Sequence, residues 1–201
     1  MAVSGEVAPT WPPERTARRF VALSVPDVVR DELARATSHL RAPGAGLRPT
    51  PPTGWHVTLA FLGELDPAGA VLATEVLAAT LAAVPPGPVP ELVVRRAGRF
   101  GDRVLIVQLE EQPVPALEAV VERLHAALNS AGFEVPDRAF RPHLTLARAR
   151  GARRVTARDV AALQLPGSRW RPDAVGLWAS AAPGGPRPYV VESVMPLPAS
   201  G

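Results

Sequence analysis

Two of the four histidines in this 201-residue chain head matching tetrads, His56-Val57-Thr58-Leu59 and His143-Leu144-Thr145-Leu146, 87 positions apart. Set against the ten threonines of the chain, chance gives only ~0.2 His-x-Thr pairs. Apolar residues fill the second and fourth places of both copies. That alternation marks a half-buried strand, on which residues i and i+2 share a face. Each tetrad therefore offers an imidazole beside a hydroxyl, and turns two aliphatic side chains the other way into a core.

Two such strands across one cleft would set imidazoles on opposite sides of a bound group. That layout suits phosphoester chemistry without a metal. One neutral imidazole takes a proton from an attacking water or hydroxyl, and the other, protonated, gives one to the departing oxygen. An unperturbed pKa of ~6.5 fits histidine to both tasks. Thr58 and Thr145 would donate hydrogen bonds to the non-bridging oxygens. A lone strand His beside a Thr is ordinarily a surface pair, so the matched second copy carries the argument. The spacing supplies two acid–base groups and does not rank them.

A fixed positive charge should hold the phosphate, and arginine does so with a planar fork. Strand parity puts Arg141 on the face of His143 and Thr145, whereas Arg148 has the opposite parity unless a bulge or the strand end intervenes. Trp55, Phe61 and Trp178 are candidates to stack a base at the cleft, although each residue type also serves as core. His39 and His125 fall beside the apolar stripes of helices and are read as non-catalytic.

At these residues the chain resembles the two-histidine phosphoesterase superfamily, and within it the RNA 2′,3′-cyclic phosphodiesterases, also described as 2′-5′ RNA ligase-like. The likeness is carried by Arg19-Phe20-Val21-Ala22-Leu23, by His56 to Gly63, by Arg103-Val104-Leu105-Ile106, and by Phe140-Arg141-Pro142-His143-Leu144-Thr145-Leu146-Ala147-Arg148. It runs over about residues 18–197. It implies an α+β, bilobal fold with one tetrad from each lobe, and opening of an RNA 2′,3′-cyclic phosphate to a 2′-phosphate. It further implies His56 as proton donor to the leaving 3′ oxygen, His143 as proton acceptor from water, and Thr58 and Thr145 on the phosphate. It favours Arg148 over Arg141 as the phosphate-binding arginine. Gly54-Trp55 departs from the family pattern, in which a polar residue and an aliphatic are expected.

Composition narrows the setting. There are no cysteines, and no carboxylate lies at ligand spacing near either tetrad, so neither a metal nor a cofactor is expected. The first 19 residues hold no continuous apolar run and no stretch is long enough to span a bilayer, so a cytoplasmic protein without a leader is expected. All 22 basic residues are arginine against 19 acids, for a net charge of +3. Nine of them fall between Arg138 and Arg171 with one acid, Asp159. Such a segment could form an RNA-binding rim or a solvated surface.

The pattern predicts a tail over 1–17, a single bilobal domain over 18–197 and a short tail over 198–201. Within the domain, strands are expected at Arg19–Val25, His56–Leu62, Glu91–Arg99, Arg103–Leu109, Arg141–Arg148, Trp170–Ser180 and Arg187–Pro196. Helices are expected from Pro26 to about Leu40, from Asp66-Pro67 to about Ala83, over Pro113–Ser130 and near Ala157–Leu163. Residues 41–54 read as loop, and residues 182–186 as a turn. RFVALSVPDVVRDELARA leads to HVTL as RVLIVQLEEQPVPALEAVVERLHAAL leads to HLTL, so the chain contains an internal echo. Two pseudo-symmetric lobes, antiparallel sheets lining the cleft and helices outside are the expected outcome, and a monomer suffices. RNA ends or cyclic nucleotides are the expected partners. The alternatives are 2′-5′ RNA ligation, a small non-RNA cyclic phosphate, and an RNA-binding module without turnover.

Overall fold

The run ARRFVALS alternates strongly enough to bury Phe20 and Ala22 on one face and Val21 and Leu23 on the other, and it forms the first strand, β1 (Ala17–Ser24). The computed structural model describes residues 13–42, 46–85, 87, 89–112, 116–181 and 188–197. After β1 come α1 (Asp27–Ala36), β2 (Leu47–Pro49), β3 (His56–Leu65), α2 (Pro67–Ala82), β4 (Glu91–Phe100) and β5 (Val104–Gln112). The chain continues through α3 (Ala116–Ser130), β6 (His143–Ala149), α4 (Ala157–Ala161), β7 (Arg169–Trp170), β8 (Ala174–Ser180) and β9 (Tyr189–Pro196).

Local chemistry sets the boundaries. Asp66 accepts a hydrogen bond from the Gly69 amide at 2.7 Å, and Pro67 opens α2 where a missing N–H costs nothing. The β4–β5 hairpin turns at Gly101, whose φ of 54° lies in the left-handed region. Helix α3 buries Leu117, Val121, Leu124 and Leu128 along one stripe.

The strands form two antiparallel sheets, ordered β3-β1-β8-β9 and β2-β6-β5-β4-β7. Superimposing β1 on β5 pairs β3 with β6, β8 with β4 and β9 with β7, so all four strands of the first sheet have counterparts in the second and only β2 has none. This is the bilobal α+β arrangement expected from the internal echo. The lobes exchange strands: β2 edges the second sheet, whereas β8 and β9 from the end of the chain complete the first. One continuous core joins both sheets through Val21, Leu23, Val57, Leu105, Val107, Leu144 and Leu146, with Val29 and Leu33 of α1 and Leu124 of α3. Helices α2 and α3 pack on each other and on β3.

Several boundaries differ from the sequence reading. Residues 41–54 are not all loop, because Leu47–Pro49 pairs with β6. The helix beginning after Pro26 stops at Ala36, and Leu40 is buried from a separate 3-10 turn over Ser38–Arg41. The single strand expected over Trp170–Ser180 is two, on different sheets, divided at Pro172. Strand β1 already starts at Ala17, inside the expected tail. The turn at 182–186, helix positions 113–115 and the tails 1–12 and 198–201 lie outside the described residues. Among the described residues no helix is long and apolar enough to cross a membrane.

Candidate active site

Each histidine begins its strand, and each is fixed in the same way. His56 Nδ1 lies 2.8 Å from the Gly54 carbonyl oxygen, and His143 Nδ1 lies 2.8 Å from that of Arg141. A carbonyl can only accept, so Nδ1 carries the proton in both rings and Nε2 is left free for chemistry.

The register explains how an arginine joins them. In β3, Thr58 pairs with Ala22 and Ala60 with Val21, so Leu59 is an extra residue. In β6, Thr145 pairs with Ile106 and Ala147 with Leu105, so Leu146 is extra. Both are β-bulges, and each inverts the parity of the residues beyond it. Leu59-Ala60 and Leu146-Ala147 are consecutively buried as a result. The residues five places after each histidine, Phe61 and Arg148, therefore return to the imidazole face and are exposed. The bulge carbonyls are satisfied from elsewhere: Thr50 N donates to Leu146 O, and His125 Nε2 donates to Leu59 O, both at 2.8 Å. His125, which falls beside the apolar stripe of its helix, thus ties α3 to β3.

Arg141 precedes β6 rather than lying in it, so strand parity does not apply, and its side chain is exposed. Its contribution to His143 is a backbone carbonyl. Substituting Arg148 by alanine is expected to lower kcat/KM by roughly 10²–10³-fold, as loss of a preorganised charge on the phosphate does. Lysine should restore little, because it lacks the fork. Arg141→Ala should cost less than about fivefold, since the carbonyl remains. Steady-state kinetics of the three variants check the assignment, and equal losses at both positions would refute it.

The two half-sites differ in character. His56 stacks on Phe20 with ring centroids 4.6 Å apart, lies 5.5 Å from Trp178, and meets the edge of Tyr189 at 5.1 Å. His143 meets Phe100 edge-on at 4.7 Å and pairs across the sheet with Gln108, whose side-chain oxygen accepts from Arg96. Trp178 beneath His56 matches Phe100 beside His143, as their registers with Phe20 and Val104 require. Neither the Thr58 nor the Thr145 hydroxyl has a side-chain hydrogen bond among the described residues, and both are half-buried.

Two stacking candidates need correction. Trp55 is 2% exposed and belongs to the main core, because it precedes β3 and points away from His56. Trp178 faces the site but is 6% exposed, so it supports His56 and offers no open face. Phe61 is 49% exposed on the imidazole face. Phe20, Phe100, Gln108 and Tyr189 were missed in the sequence. Alternation in β1 could have separated Phe20 from Val21, but the others depend on cross-strand register. Of the nine arginines of 138–171, Arg153, Arg154 and Arg169 pair with Asp159, Asp102 and Glu91. Among the described residues no three potential metal ligands group together.

Burial is the main cause that lowers the pKa of His56 to about 4. The Gly54 carbonyl opposes the shift, and the charges of His143 and Arg148 add to it. His143 is lowered too, first by burial, against the Arg141 carbonyl, with Arg148 adding to the decrease. Arg148 thus acts on both imidazoles. Because the folded pKa of His56 lies below its unfolded value of 6.5, the unfolded chain binds more protons between pH 6.5 and 4. Stability present at pH 7 is therefore lost as the pH falls through that window, by about 3 kcal/mol from this group. Urea unfolding at pH 7 and 4.5 should show His56→Phe losing less than the wild type. A parallel loss in both would show that the ring is not held neutral by burial.

The family model for the 2′-5′ RNA ligase superfamily matches residues 25–183. The chain belongs to this superfamily. It is 30% identical to the TT0787 protein of Thermus thermophilus, covering 92% of this chain and 100% of that one, with a TM-score of 0.71. E. coli LigT complexed with 3′-AMP shares the fold with a TM-score of 0.68 at 24% identity, over 90% of this chain and 98% of that one. An RNA 2′,3′-cyclic phosphodiesterase of Geobacillus stearothermophilus is 33% identical over 96 residues, or 47% of this chain. That match spans only 30% of the relative's length.

Proposed function

We propose that the protein hydrolyses 2′,3′-cyclic phosphate ends of RNA to 2′-phosphates, with His56 and His143 as a metal-independent acid–base pair. The observation that carries this reading is the identical fixing of both rings: each Nδ1 is held by the carbonyl two residues earlier, so each free Nε2 is fixed on the face of its threonine. A neutral imidazole takes a proton from water as the water oxygen attacks phosphorus. The bond from phosphorus to the 3′ oxygen breaks, and the second imidazole, protonated, gives its proton to that oxygen. Thr58, Thr145 and Arg148 hold the non-bridging oxygens. Family resemblance makes His56 the donor and His143 the acceptor. Burial leaves His56 largely neutral in the free protein, so the donor acquires its proton as the anion enters, because a nearby negative charge favours the imidazolium.

The deciding experiment supplies purified protein with EDTA and a short RNA ending in a 2′,3′-cyclic phosphate, and identifies the phosphate position on the product. A 2′-phosphate is expected. A 3′-phosphate, or abolition by EDTA that added metal reverses, would refute the reading. Adding a 5′-hydroxyl RNA tests the reverse direction, in which that hydroxyl replaces water and a joined product forms.

A further inference from the structure

The short edge strand β2 places Arg48 directly opposite Arg148. Directly opposed residues of an antiparallel pair share a face, so Arg48 stands beside Arg148 on the side of His143 and Thr145. Leu47, the neighbour of Arg48, is buried on the other side, and both arginines are exposed. Pairing continues past Arg48 through the Thr50 amide to the bulge carbonyl of Leu146, so the backbone carrying Arg48 is tied to the site.

Two guanidinium groups placed directly opposite repel each other. Among the described residues neither Arg48 nor Arg148 has a carboxylate partner, whereas Arg153, Arg154 and Arg169 are all paired. An anion on this face removes the repulsion. Arg148 shares strand β6 with His143, whereas Arg48 stands one strand further out, on the edge of the sheet.

We infer that Arg48 binds a second phosphate of the substrate, the one joining the terminal cyclic-phosphate nucleotide to its neighbour. This rests on the phosphodiesterase reading and narrows it: the site prefers an RNA end of at least two nucleotides to a free cyclic mononucleotide.

The test compares wild type, Arg48→Ala and Arg48→Gln on a cyclic mononucleotide and on a dinucleotide ending in a 2′,3′-cyclic phosphate. The ratio of kcat/KM, dinucleotide over mononucleotide, should fall about tenfold in both variants, as loss of a charge-assisted phosphate contact implies. Binding of a labelled dinucleotide 2′-phosphate should lose about 0.7 from its logarithmic salt slope, the share of one single-strand phosphate. An unchanged ratio with an unchanged slope overturns the inference. So does an equal loss on both substrates, which would put Arg48 on the reacting phosphate. If the wild type turns over neither substrate yet the variants lose salt slope, the phosphodiesterase reading fails and the second-phosphate site stands.

Discussion

Alanine at His56 or at His143 is expected to lower kcat for cyclic-phosphate opening by about 10²–10⁴-fold each, the usual worth of a positioned general acid or base. The double variant should be little worse than either single one, because the two groups act in one step. The pH profiles then separate their roles. With both imidazoles lowered from 6.5 by burial, the wild-type kcat/KM profile should turn down on its alkaline side below pH 6.5. Removing the donor should abolish that alkaline limb, and removing the acceptor should abolish the acid limb. If His56 is the donor, His56→Ala keeps only the acid limb. A profile that keeps both limbs in either variant would remove that histidine from proton transfer.

The largest expected effect on stability lies away from the cleft. Arg19 is fully buried, and its guanidinium meets Glu192 twice, at 2.8 and 3.0 Å, with further hydrogen bonds to the carbonyls of Ala17, Leu65 and Arg15. An extra residue in β9 at Glu192 turns the carboxylate inward to meet it. Arg19→Ala should cost about 3–5 kcal/mol, because it strands a buried carboxylate and several carbonyls. The double change Arg19→Met with Glu192→Leu should recover most of the loss, since removing both partners leaves no orphaned charge. Chemical denaturation of the two variants reads this directly, and a loss below about 1 kcal/mol in Arg19→Ala would show that water reaches the pair.

The legible part of the sequence was its periodicity. Alternation in the two tetrads separated His and Thr from their aliphatic neighbours, and the echo of strand, helix and tetrad anticipated two matched sheets. Asp66-Pro67 marked a helix start because capping is local chemistry. Register was not legible, because it depends on the partner strand. The Leu59 and Leu146 bulges bring Phe61 and Arg148 to the site, and their trace in the sequence is the Leu-Ala doublet that closes each tetrad. Strand β2 was hidden by the prolines around it, and Arg48 with it. Pro172 marks a break that the single strand expected over Trp170–Ser180 ran through, and nothing local shows that the chain changes sheets there. Trp55 shows the opposite failure: an aromatic beside a catalytic-looking histidine is core because it precedes the strand.

The exchange of strands between the sheets also constrains synthesis. Strand β1 has β3 on one side, but its other neighbour, β8, lies about 150 residues later. On a ribosome the first lobe must wait with an open edge while the second is made. An open edge is a template for pairing with another chain. One of the two hydrogen-bonding partners of this interior strand arrives late, so the first half of this chain is not a unit that can mature alone. Nascent chains stalled before β8 should be the aggregating species.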